Sequence, residues 1–218
     1  MALLVQPGRK LLFVGDSITD AGRAQPAGEG LFGALGTGYV NQVDSLLQAV
    51  HPERRIRVVN QGTSGNTVVD LRDRWDRDVA GHSPQWLSVM IGINDVWRQF
   101  DAPLRPESHV LPKDYQAVYS ELLARTRPGL EGLVLMTPFV IESNRSDAMR
   151  ARMDEYGQIV FDLAKQHDAI LVDTQAAFDA ALAHHHATFY AWDRIHPTPV
   201  GTMVIARAFL NAIGFAWS

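Results

Sequence analysis

Five short apolar runs, at residues 11–14, 56–59, 86–91, 133–136 and 169–172, constrain this 218-residue chain more than any other feature. Each is nearly continuous in apolar side chains rather than alternating with polar ones. Strands covered on both faces read this way, because neither face meets water. Between the runs lie stretches of helical period. Val40, Val43, Leu46, Leu47 and Val50 recur at three- and four-residue steps and mark a helix over 39–50. Further helices are expected over 67–80, 114–126, 146–167, 174–184 and 199–213. Strand and helix alternate throughout, so a parallel sheet with helices on both faces is the economical architecture.

No repeat, low-complexity tract or linker-like shift interrupts the chain, and a single domain over 1–218 is expected. Two segments do not read as regular elements. Residues 22–38 carry six glycines and a proline, and residues 99–112 carry three prolines. Loops this long in a compact domain are often functional. The formal net charge of −4 gives no reason to expect nucleic acid or an anionic membrane surface as partner. Cysteine is absent, which excludes disulfides and thiol chemistry. The apolar run at 2–5 is too short for a secretory signal and has its charges, Arg9 and Lys10, on the wrong side. No apolar stretch approaches the roughly 20 residues that span a bilayer. A soluble, cytoplasmic protein is expected.

In an open parallel sheet, ligands bind beyond the carboxyl ends of the strands. The first run ends in Gly15-Asp16-Ser17, the second in Asn60-Gln61-Gly62-Thr63-Ser64-Gly65-Asn66 and the third in Gly92-Ile93-Asn94-Asp95. The fourth ends in Thr137-Pro138 and the fifth in Asp173-Thr174; Asp193-Arg194-Ile195-His196 precedes the final helix. Ser17 presents a hydroxyl and a backbone N–H at one point, although a serine there also serves as a helix N-cap. Asp193 and His196 are three apart, close enough for the carboxylate to fix the imidazole tautomer. Gly65 and Asn94 are donor candidates for a developing oxyanion, as backbone and side-chain N–H respectively. Each residue has an ordinary turn or surface role when taken alone. Their combination is that of nucleophilic acyl transfer.

Three patterns compete for attention. Gly62-Thr63-Ser64-Gly65-Asn66 approaches the Gly-x-Ser-x-Gly elbow but lacks its final glycine, which leaves Ser64 as a turn or cap residue. Asp173 rivals Asp193 as the acidic partner because it ends a strand, yet it has no histidine near it in sequence. His184, His185 and His186, read as a solvated helix end, would point about 100° apart and cannot converge on one ion. No metal site is expected.

Taken together, the four blocks resemble the SGNH, or GDSL-type, hydrolase family. Gly15-Asp16-Ser17 matches its first block, with Ile18 where leucine is usual; Gly62-Thr63-Ser64-Gly65 matches the second, Gly92-Ile93-Asn94-Asp95 the third and Asp193-Arg194-Ile195-His196 the last. The resemblance implies a three-layer α/β/α sandwich with a flavodoxin-like parallel sheet of about five strands. It implies Ser17 as nucleophile, His196 as base and Asp193 as its orienter, with Ser17 N–H, Gly65 N–H and the Asn94 side chain as oxyanion hole. It implies no metal or organic cofactor.

A narrower resemblance is to bacterial intracellular acetyl xylan esterases of this family. It is carried by Gly28-Glu29-Gly30, Phe32-Gly33-Ala34-Leu35-Gly36-Thr37-Gly38-Tyr39, Ile91 through Gln99 and Ala191-Trp192-Asp193. The segments Met136-Thr137-Pro138-Phe139 and Asp173-Thr174-Gln175-Ala176-Ala177-Phe178 add to it. This implies a small acetylated oligosaccharide as substrate and assembly as a homo-oligomer. Asp16, Trp97, which follows Asn94 in the same segment, and Trp192, which precedes Asp193, are expected to line the substrate pocket. A general short-chain carboxylesterase or thioesterase is the alternative, and a non-catalytic doubly wound binding module the remote one.

Overall fold

The computed structural model of the chain describes residues 2–217. The apolar runs form strands β1 (Lys10–Gly15), β2 (Arg57–Gly62), β3 (Trp86–Met90), β4 (Gly132–Met136) and β5 (Ile170–Val172). They pair in parallel, in the order β2-β1-β3-β4-β5. Leu11, Leu12, Phe13 and Val14 have no exposed surface, as expected of a strand with helices on both sides.

The helices are α1 (Ser17–Asp20), α2 (Tyr39–Val50), α3 (Val68–Asp73), α4 (Trp75–Asp78), α5 (Ile93–Asp101), α6 (Pro112–Thr126), α7 (Ala148–Gln166), α8 (Thr174–Leu182), α9 (Ala187–Tyr190) and α10 (Pro199–Ala212). On one face α10 packs between α2 and α8; on the other α6 packs between α3 and α7, with α5 also against α7. The result is the expected three-layer α/β/α sandwich. Local chemistry sets several helix starts. Thr67 and Asp70 form a capping box, Asp147, Asp173 and Thr198 accept from backbone N–H groups, and Pro112 and Pro199 occupy first-turn positions.

Four expectations need correction. The helix expected over 67–80 breaks at Arg74 (φ −109°, ψ 2°), whose side chain turns under the strand ends instead of continuing along the surface. The loop expected to begin at Gln99 starts later, because α5 runs to Asp101 and buries Ile93, Asn94, Asp95 and Val96. Helix α8 stops at Leu182, so the three histidines follow it rather than belong to it. Val50 ends the apolar stripe of α2 but is 48% exposed, since the core no longer reaches the last helical residue. The glycine-rich segment 22–38 forms neither helix nor strand. It bridges Gly28 to Asn60, and buried Arg23 donates to the carbonyl of Gly62 at 2.7 Å, covering the outer edge of β2.

The site is placed by the order of the sheet. β1 leads to β2 on one side and β3 to β4 on the other, so the direction of winding switches between β1 and β3 and opens a crevice at their carboxyl ends. Helix α1 can lie directly over this edge because Gly15 and Gly62, paired in register, have no side chains. A Cβ on Gly62 would stand 2.1 Å from the backbone N of Asp20, and one on Gly15 would stand 2.3 Å from Thr19 Oγ1 and 2.4 Å from the Met90 carbonyl. Gly62→Ala is therefore expected to destabilise the fold by about 1–3 kcal/mol or more, since backbone on backbone cannot relax by rotamer change. Urea denaturation of the purified variant measures this directly.

Candidate active site

Asp16, rather than Ser17, caps α1: its Oδ1 accepts the N–H of Ile18 at 3.0 Å. Ser17 is thereby released from the capping role and becomes the first helical residue, with its hydroxyl free to meet another side chain. That partner is His196, whose Nε2 lies 2.9 Å from Ser17 Oγ across 179 residues of sequence. His196 Nδ1 lies 2.5 Å from Asp193 Oδ2. The other Asp193 oxygen accepts the backbone N–H groups of Ile195 (2.9 Å) and His196 (2.8 Å).

Burial alone would raise the Asp193 carboxyl. The hydrogen bond from the His196 side chain and the two backbone donors outweigh it and hold the group below its ordinary value. An ionised carboxylate can only accept, so the ring proton sits on His196 Nδ1 and leaves Nε2 as the acceptor for Ser17. A bond chain runs from carboxylate to imidazole to hydroxyl. Asp173, the rival acid, is instead the N-cap of α8, accepting from Ala176 at 2.9 Å.

Gly65 is exposed in a turn at φ +81°, a conformation glycine adopts without strain. The turn is tied to α1 through Asp20 Oδ2, which accepts the Ser64 hydroxyl at 2.6 Å and the Ser64 N–H at 3.1 Å. Asn94, 2% exposed at the start of α5, donates one amide hydrogen to the Asn66 carbonyl at 3.0 Å. Its Oδ1 accepts from Arg98 at 3.4 Å. A carbonyl on one side and a guanidinium on the other fix which way the amide faces, and the second N–H of Nδ2 remains for a ligand. Asn66 and Asp20 escape detection in the sequence because their partners, Asn94 and Ser64, lie in other segments; only the fold brings them to the site.

The three expected pocket residues fare differently. Trp97 stands edge-on to the His196 ring, centroids 6.0 Å apart, with the Arg98 guanidinium over its own face at 5.0 Å. Trp192 is 86% exposed and borders a cavity of about 720 Å³ shared with Glu142, Ser143, His185 and Asp193. Asp16 does not line a pocket: it is 1% exposed, beneath Ser17, where its side chain fixes the turn. A second depression of about 470 Å³ opens beside Gly65 and Arg98. No group of three or more His, Asp or Glu side chains that could hold a metal ion occurs among the described residues, His184–His186 included. His186 caps α9 by accepting the Thr188 N–H.

A hydroxyl, imidazole and carboxylate in this order, beside a buried asparagine amide, suit acyl transfer, and comparison with known proteins agrees. Residues 13–203 match the GDSL-like Lipase/Acylhydrolase family. The chain belongs to this family. It is 56% identical over 210 residues to an acetylxylan esterase from Geobacillus stearothermophilus, with 96% of each chain covered. The crystal structure of an acetylxylan esterase from that organism superposes with a TM-score of 0.97 at 55% identity, covering 98% of both chains. An alpha/beta hydrolase from the metagenome of Lake Arreo, Spain, superposes with a TM-score of 0.96 at 54% identity, again over 98% of each. Further crystal structures are of catalytic mutants of the Geobacillus esterase, with a serine, an aspartate or a histidine replaced by alanine.

Two more carboxyl groups of this GDSL-like hydrolase lie beneath the site. Burial pushes Asp16 up to about 7, against the Ile18 hydrogen bond and the charges of His196 and Arg74. Burial likewise pushes Asp95, which has no exposed surface, up to about 8, although its oxygens accept the Val68 N–H at 3.0 and 3.3 Å. A raised acid binds its proton more tightly folded than unfolded, so these groups make stability fall as pH rises from about 4 towards 8. Asp95→Asn keeps an acceptor for Val68 and removes one titration. Its unfolding free energy, measured in urea from pH 5 to 8.5, is expected to decline less steeply than that of the parent.

Proposed function

We propose that the chain is a serine esterase that removes acetyl groups from acetylated xylo-oligosaccharides through an acetyl-enzyme at Ser17. The observation that carries this reading is the continuous chain Ser17 Oγ–His196 Nε2 (2.9 Å) and His196 Nδ1–Asp193 Oδ2 (2.5 Å). The serine, aspartate and histidine replaced in the catalytic mutants of the Geobacillus esterase have the same mutual spacing as Ser17, Asp193 and His196. The naming of that relative as an acetylxylan esterase supports the substrate class. Open depressions of about 720 and 470 Å³, one bordered by Asp193 and the other by Gly65, leave room for an oligosaccharide.

In the first step Ser17 Oγ attacks the ester carbonyl carbon while His196 Nε2 takes the hydroxyl proton. Negative charge gathers on the former carbonyl oxygen, facing the N–H groups of Ser17 and Gly65 and the free amide hydrogen of Asn94. The intermediate collapses, His196 gives its proton to the departing sugar oxygen, and the acetyl group stays on Ser17. Water, deprotonated by His196, repeats the sequence and releases acetate. Asp193 keeps its charge throughout and stabilises the imidazolium. None of these steps calls for a metal or organic cofactor.

The same reading treats residues 1–218 as one hydrolase domain working in the cytoplasm, supported by the resemblance to intracellular acetyl xylan esterases. It includes self-association, supported by the fully exposed Phe32 and the largely exposed Leu31 and Leu104. No helix among the described residues is long and apolar enough to cross a membrane.

Ser17→Ala is expected to lower kcat by on the order of 10⁶-fold with the fold intact, and Asp193→Asn by on the order of 10⁴-fold, whereas Asp173→Asn leaves it nearly unchanged. Acetate release from acetylated xylo-oligosaccharide, compared with simple acyl esters of rising chain length, checks both residues and substrate. A preference for long simple esters would make the enzyme a general carboxylesterase. Trp97→Ala, by opening the wall beside His196, is expected to flatten the decline in kcat/KM with acyl length in the same panel.

A further inference from the structure

We infer that Arg74 is a positioning residue for the oxyanion hole, setting Ser17, Gly65 and Asn94 relative to one another from beneath. The inference rests on the oxyanion hole proposed above. Arg74 is 7% exposed and interrupts what would otherwise be a single helix, because its guanidinium reaches under the carboxyl ends of β1 and β2. Nη2 donates to the Gly15 carbonyl at 2.7 Å, two residues before Ser17. Nη1 donates to the Gln61 carbonyl at 2.7 Å and to Asp78 Oδ2 at 2.9 Å. Nε donates to Asn66 Oδ1 at 2.6 Å.

Each contact leads to one wall of the hole. The Gly15 carbonyl also accepts the N–H of Thr63, so the same oxygen joins the turn before Ser17 to the turn that carries Gly65. Asn66 is the chain neighbour of Gly65, and its backbone carbonyl is the group that orients the Asn94 amide. Holding the Asn66 side chain therefore holds both remaining donors. A planar guanidinium presents donors at fixed angles and can bind these acceptors at once, whereas a lysine ammonium is a single point charge on a flexible stem. Asp78, 4% exposed, balances the charge. Arg74 is buried and its donors are taken up by these acceptors, so it acts through others.

The test compares Arg74→Lys, Asn66→Ala, their double variant and Asn94→Ala, with kcat expressed per Ser17 site titrated by an organophosphonate. Arg74→Lys keeps the charge opposite Asp78 and is expected to lower kcat by about 10–100-fold, the effect of a misplacement near 1 Å, with KM within about threefold. Asn66→Ala leaves the other Arg74 contacts in place and is expected to lose about 10-fold, and the double variant no more than Arg74→Lys alone, because the Asn66 contact is already lost in Arg74→Lys. A folded Arg74→Lys enzyme with kcat per titrated site within about twofold of the parent, or losses that multiply in the double variant, would overturn the inference. Should Arg74→Lys fail to fold, an unchanged kcat in Asn66→Ala overturns it equally. Asn94→Ala separates the two readings. Its expected loss of about 10²–10³-fold with Arg74→Lys unaffected sinks the role of Arg74 alone, whereas full activity in Asn94→Ala sinks the oxyanion hole itself.

Discussion

A helix backbone can lie over the carboxyl edge of a sheet only where the strands stop without side chains. Gly15 and Gly62 meet that condition side by side, one on each of the two strands that α1 covers. With any larger residue at either place, α1 would have to lift away. Asp20 would then lose its grip on Ser64, and the Gly65 turn its register with Ser17. Ser17 and the Gly65 turn are thus set by two missing methyl groups before any polar contact is made. Hydrogen bonds such as those from the Ile18 N–H to Asp16 and from the Thr63 N–H to Gly15 then lock an arrangement that sterics already permits.

Four aspartates around the edge illustrate how environment decides protonation. Asp193 shares its solvent-facing loop with three N–H donors and stays charged. Asp16 and Asp95 have fewer donors and are shut away from the surface, so burial raises both, to about 7 and about 8. Asp78 is buried too, yet the hydrogen bonds and charges of Arg77 and Arg74 outweigh its burial and hold it low. Two of the four are thus raised by burial, and Asp193, proposed to stabilise an imidazolium, remains an anion.

The sheet and the proposed acyl-transfer residues were legible in the sequence for the same reason: both are encoded locally. An apolar run of four to six residues announces a doubly covered strand, and the residues that follow it must stand at the ligand-binding edge. Ser17, Gly65, Asn94, Asp193 and His196 all fall at such places or in one short turn. Arg74 and Asp95 were not legible, since an arginine in a run of Arg and Asp and an aspartate after a helix-starting asparagine both look solvated. Their importance depends on acceptors and donors 13 to 59 residues away, such as Gln61, Gly15 and Val68. The break at Arg74 was missed because helix propensity carries no information about carbonyls belonging to another strand. The pocket role expected of Asp16 failed for a related reason: adjacency to Ser17 in sequence places it under the turn, not beside it.

Ser17, Gly65 and Asn94, the proposed nucleophile and oxyanion donors, come from the sheet edge, but Asp193 and His196 do not. Asp193 and His196 sit on a loop between α9 and α10, and nothing in the sheet fixes its height above Ser17. The loop is closed on itself by pairing of Ala191 with Pro197 and by the Tyr190 carbonyl, which accepts the Thr198 N–H at 2.7 Å. Between the pair, Arg194 takes φ +68°, a left-handed conformation unusual for a residue with a side chain. It is held there by its ion pairs to Glu142 (2.8 Å) and Asp147 (3.4 Å) and by the Ile141 N–H bond to its carbonyl. Glu142 is itself held, since buried Arg150 donates to its carbonyl while pairing with Asp179 and Asp154. Holding a non-glycine residue in such a conformation costs about 1–3 kcal/mol, which these surrounding contacts can offset. The left-handed turn lets Asp193 accept from the two residues beyond it while its other oxygen meets the ring of His196.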